Sequence, residues 1–90
     1  MAKYLIEVAH EAEKNACLRA AQILLKSGSH FVTNADFGCL DGEHKAWIIV
    51  EVFDKEEAKN ILPPEYRSSA KIVKLNKFNL KEIEDLLTHH

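Results

Sequence analysis

The chain is 90 residues long, 47% hydrophobic and 29% charged, and its 12 Lys and Arg against 14 Asp and Glu leave a net charge of −2; this is a single domain over residues 1–90, with no room for a second. Interspersed charge gives no broad electropositive field, so nucleic acid is not an expected partner, and no apolar run approaches the roughly 20 residues that span a bilayer, so neither is a membrane. Ile, Leu, Val and Phe supply 26 of the 90 residues, enough to fold, but a domain this small buries only about 60% of its unfolded surface and gains from a partner subunit.

Tyr4 to Ala9 alternates in polarity, with Tyr4, Ile6 and Val8 on one face and Leu5, Glu7 and Ala9 on the other, which predicts a first strand. From Glu11 the period becomes helical: Cys17, Ala20, Ala21 and Leu24 form an apolar stripe opposite Asn15, Arg19, Gln22 and Lys26, and Gly28 is a stop signal. His30 to Leu40 carries β-branched and aromatic residues and is expected to be strand two. Asp41-Gly42 supplies a hairpin turn, and Lys45 to Phe53, the most apolar run, is strand three. Asp54 followed by Glu57 resembles a capping box and opens a short second helix that must end near Pro63 and Pro64. Lys71 to Phe78 reads as strand four. Asn79 and Glu82 then cap a last helix with the stripe Leu80, Ile83, Leu86 and Leu87. Lys71, Lys74, Lys77 and Lys81 form a basic run without interleaved stacking aromatics, which reads as a solvated face.

The order β-α-β-β-α-β-α is that of an α+β, ferredoxin-like βαββαβ antiparallel sheet with an added C-terminal helix, for which the strand order is 4-1-3-2. Strand three is apolar on both faces, with Ala46, Ile48, Val50 and Val52 on one and Trp47, Ile49 and Phe53 on the other. Helices cover one face; the other, with Leu5, Trp47 and Ile49, is expected to form a sheet-to-sheet homodimer, the alternative being the last helix folded back over it.

The run Asp41 to Ala58, with its hairpin, apolar strand ending in Glu51 and acid-capped helix, resembles that of small dimeric α/β-barrel proteins. It is most similar to GYD-type domains and their uncharacterised relatives, and more remotely to muconolactone isomerases and antibiotic-biosynthesis-type monooxygenases. Leu40-Asp41-Gly42 stands where the glycine and tyrosine of the GYD name would be. The resemblance implies a ferredoxin-like protomer and a dimeric barrel, and carries over no catalytic residue.

Matching the apolar faces of strands one and three pairs even residues with even, and the opposite charges of Lys3 and Glu51 favour one such register over a slip of two: Tyr4 with Val50, Ile6 with Ile48, Val8 with Ala46, Lys3 with Glu51, Leu5 with Ile49 and Glu7 with Trp47. It also sets His10 across from His44 at the hairpin end, where Asp41, Tyr66 and Arg67 are expected nearby. One reading is a small-molecule pocket in which an imidazole moves a proton and Arg67 holds an anion, serving an isomerase-like or oxygenase-like enzyme without a bound cofactor. Another is a metal site using His10 and His44 with Asp41 or Cys39. A third is a non-catalytic assembly or ligand-sensing module, with these residues ordinary polar groups at a wet sheet end.

Glu7 and Glu51 are further acid/base candidates on the face expected to be covered by a partner subunit, the alternative being that Lys3 satisfies Glu51 and that Glu7, beside Trp47, is rim-exposed. Cys17 and Cys39 make no C-x-x-C motif and are expected to be reduced, Cys17 as a small buried residue. Met1 to His10 has no signal-peptide pattern, which points to a cytoplasmic protein. His30 reads as a surface residue, and His89 and His90 as native residues or a tag remnant.

Overall fold

A computed structural model of the chain describes residues 1–11, 13–26 and 30–88. Four strands, β1 (Ala2–Ala9), β2 (Asp36–Phe37), β3 (Lys45–Val52) and β4 (Ala70–Leu75), form one antiparallel sheet in the order β2-β3-β1-β4. The helices are α1 (Lys14–Lys26), α2 (His30–Thr33), α3 (Lys55–Ile61), α4 (Pro64–Arg67) and α5 (Leu80–Thr88). The molecule is a mixed α+β domain with β1 and β3 at the centre of the sheet. Gly28, His89 and His90 lie outside the described residues.

The expected register is the observed one: Tyr4 faces Val50, Ile6 faces Ile48, Val8 faces Ala46 and Lys3 faces Glu51. Side chains alternate between faces with period two, so this register places every even-numbered residue of the central strands on one side. Tyr4, Ile6, Val8, Ala46, Ile48, Val50 and Val52 are all buried there, against Leu24 of α1, Val32 of α2, Ala58 of α3 and Leu62. Each Ile, Leu or Val among them stabilises the fold by roughly 1.5–3 kcal/mol relative to exposure.

Local signals set the helix limits. Asp54 caps α3 by accepting from the Glu57 amide at 2.8 Å, and the Glu57 carboxylate accepts in return from the Phe53 amide at 2.8 Å. Leu62, which precedes Pro63, is extended at ψ 148 and ends α3, and Pro64 then opens the separate turn α4. Asn79 caps α5 through the Glu82 amide at 2.8 Å.

Strand two departs from expectation. His30 to Leu40 does not run as one strand; it forms α2, a two-residue β2 and a 3-10 turn over Cys39–Asp41. Thr33 Oγ1 and Asn34 Nδ2 both donate to the His30 carbonyl, at 2.9 and 3.0 Å, and buried Val32 anchors the turn from below. These short side-chain bonds compete with a strand ladder, and composition alone does not reveal them.

Candidate functional site

The hairpin end of the sheet gathers the residues with chemistry. Beyond the last β1–β3 pair the ladder continues one step, the His10 amide donating to the His44 carbonyl at 3.1 Å, and the two rings meet edge to face with centroids 5.7 Å apart. The backbone between β2 and β3 folds tightly on itself: Asp41 and Glu43 amides both donate to the Gly38 carbonyl at 3.0 Å, and Gly42, at φ 85, closes the turn in a conformation that L side chains rarely adopt. Gly38 is fixed by space, because a Cβ there would stand 2.7 Å from the Trp47 ring and 2.9 Å from Glu43 Cβ. The tight packing sets Cys39 beside His10.

The expectation of two reduced cysteines is corrected here. Cys17 and Cys39 are joined by a disulfide, with Cα atoms 6.4 Å apart and a sequence separation of 22. Helix α1 begins at the sheet end where β1 finishes, so its early turns, Cys17 included, lie over the hairpin. A cysteine in the first turns of a helix that follows His10 directly is the signal that could have placed it. Cys17 is half-buried rather than a core residue, and the loop it closes contributes about 3 kcal/mol by the chain-entropy argument.

His10 is oriented from behind. Its Nδ1 lies 3.0 Å from the Glu11 carbonyl, which can only accept, so in the neutral ring Nδ1 carries the proton and Nε2 turns its lone pair toward Cys39 Sγ at 3.1 Å. A disulfide sulfur has no proton to give that lone pair; a thiol has one. The ligand atoms of His10, Cys17 and Cys39 all lie within 4.8 Å of one another. His44 contributes a buried Nδ1 without a hydrogen-bond partner. A cavity of about 330 Å³ opens beside the cluster, lined by Cys17, Leu18, Cys39, Leu40 and His44.

The other candidates are placed as follows. Asp41 sits exposed in the 3-10 turn next to the cluster. Arg67 is turned into its own chain, donating to the Leu62 carbonyl at 2.9 Å and the Asn60 carbonyl at 3.2 Å, which orders the α3–α4 turn. Tyr66 packs against the core, and burial, reinforced by Glu65 and offset by Arg19, pushes its phenol above the ordinary 10.0. Glu7 accepts from Trp47 Nε1 at 3.1 Å and pairs with Lys45 Nζ at 3.9 Å; Glu51 is exposed opposite Lys3. His30 is exposed and stacks on Phe31, with centroids 4.1 Å apart. Leu5 and Trp47 are half-buried and Ile49 is exposed. Among the described residues no helix is long and apolar enough to cross a membrane.

No family model, curated protein or solved structure matches the chain.

Proposed function

We propose that the reduced protein binds one transition-metal ion of borderline or soft character, Zn²⁺ being the type case, through the thiolates of Cys17 and Cys39 and Nε2 of His10, with His44 completing the set. The observation that carries this reading is the convergence of three donor atoms within 4.8 Å, drawn from a strand end, a helix and a turn. Zinc bonds of about 2.0–2.3 Å hold tetrahedral ligands roughly 3.3–3.8 Å apart, so a small adjustment suffices once the sulfurs separate. The carbonyl behind His10 Nδ1 is the outer-shell support that ligating histidines ordinarily have. His44 stands outside that three-residue cluster, its ring centroid 5.7 Å from that of His10, and would have to move in to supply a fourth ligand; its buried Nδ1 has no partner among the described residues to hold it back.

The disulfide and the metal exclude each other. A dithiol reductant transfers two electrons and two protons to the Cys17–Cys39 bond, leaving two thiols and the reductant's own disulfide; metal entry then expels the two thiol protons. The protein is thus a metal-binding module in a reducing compartment such as the cytoplasm and a cross-linked one in an oxidising compartment. The strand order β2-β3-β1-β4 supports a ferredoxin-like classification for the scaffold.

Competition titration with a chromophoric chelator tests the reading. The reduced chain is expected to take up one Zn²⁺ at least about 100-fold more tightly than the oxidised chain. Equal uptake in both states, or none in the reduced one, overturns it. The roughly 330 Å³ cavity supports a second reading, a small organic ligand held against the same imidazoles. Such a ligand would bind the oxidised chain as well as the reduced one and would lose its site in His10→Ala and His44→Ala.

A further inference from the structure

The other face of the sheet carries a groove of about 480 Å³ lined by Lys3, Ile49, Leu75, Asn76 and Lys77. Its lining is mainly apolar, with amines from Lys3 and Lys77, and Glu51 lies across from Lys3 on the same face. Ile49 is 62% exposed there, in the middle of a central strand, where an aliphatic side chain gains most from cover.

Helix α5 has the complementary defect. Leu80, Leu86 and Leu87 are 72%, 61% and 64% exposed, and the helix has no buried residue. At about 100° per residue, Leu80, Ile83, Leu86 and Leu87 share one side, Glu84 borders it on one edge and Glu82 on the other, and Lys81 points away. The radius of gyration is 16.0 Å and the long axis 52 Å, against a radius of about 12 Å for a compact chain of this length. The helix therefore stands out from the domain as an arm, attached through Asn76 to Asn79 at the rim of the groove.

We propose that α5 of one copy seats in the groove of a second copy, and reciprocally, so that the protein is an arm-exchanged homodimer. The occupant is argued from charge and shape. An apolar stripe edged by Glu82 and Glu84 meets an apolar floor edged by Lys3 and Lys77, so the Leu and Ile contacts supply affinity and the four charges set the seating. A two-fold pair is the smallest assembly in which every arm and every groove is filled, since both belong to the same chain.

Analytical ultracentrifugation of the full chain at micromolar concentration tests this. The expected species is a dimer, and Leu86→Glu with Leu87→Glu is expected to give monomers whose thermal unfolding stays cooperative, since neither residue is in the core. Glu84→Lys should weaken the dimer about 10-fold, with Lys77→Glu restoring it in the doubly substituted chain. A monomeric parent chain, as α5 folded over its own sheet would give, overturns the proposal. So does a dimer unaffected by the two glutamates, as sheet-to-sheet pairing through Leu5, Trp47 and Ile49 would give.

Discussion

The hairpin-end cluster and the open groove lie on the same two central strands, yet they are completed in different ways. At the hairpin end the chain supplies most of its own partners: Cys17 is bonded to Cys39 and His10 touches both Glu11 and Cys39, while His44 Nδ1 has none among the described residues. At the groove an exposed isoleucine and an exposed amphipathic arm each lack cover among the described residues. On the two readings proposed above, the first region answers to redox state and the second to concentration. The contrast teaches that a small domain can carry two independent controls if its chemistry sits at a strand end and its apolar surplus sits mid-strand.

Cys17→Ser and Cys39→Ser should break the comparison on one side only, with the largest effect. Each removes a thiolate and the cross-link, so zinc uptake should fall at least about 100-fold and the oxidised fold should lose about 3 kcal/mol. Titration and thermal melts check this, while the sedimentation of the variants stays that of the parent. Gly38→Ala comes next and probes the one place where the regions touch, because a Cβ 2.7 Å from Trp47 pushes an open-face ring against the turn that carries Cys39. Overpacking of this kind costs about 1–3 kcal/mol, and both melting temperature and zinc affinity should drop together; a drop in one alone would show the two regions to be uncoupled there.

His44→Ala should weaken zinc binding about 10-fold and leave the oxidised protein's stability nearly unchanged, since its Nδ1 has no partner to lose. The smallest effect belongs to Glu7→Gln. The amide oxygen still accepts from Trp47, and only the partly exposed pair with Lys45 at 3.9 Å is lost. Denaturant melts should register less than about 1 kcal/mol, with zinc binding unaltered. A large loss of either would restore Glu7 as a functional carboxylate.

The central strands were readable because alternation is a global constraint: once Tyr4, Ile6 and Val8 must share a face with Ala46, Ile48 and Val50, even positions pair with even, the opposite charges of Lys3 and Glu51 choose among the registers left, and His10 opposite His44 follows. Capping signals at Asp54 and Asn79 were readable because they are complete within four residues. The His30–Leu40 segment was not, because Val32 and Phe31 suit a strand as well as a buried turn, and the decision rests on two side-chain bonds to one carbonyl. Half of the candidate site was legible for the same reason. The two histidines directly flank paired strands, whereas the meeting of Cys17 with Cys39 depends on how α1 lies over a 3-10 turn, which no periodicity reports.

X-ray absorption at the zinc edge of the reduced, zinc-loaded protein addresses the central claim most directly, because it identifies the atoms around the metal. Two sulfur scatterers at about 2.3 Å with imidazole nitrogens at about 2.0 Å are expected, the sulfur shell losing one member in Cys17→Ser. A shell of nitrogen and oxygen alone, unchanged by that substitution, would contradict the assignment of Cys17, Cys39 and His10 as a metal site.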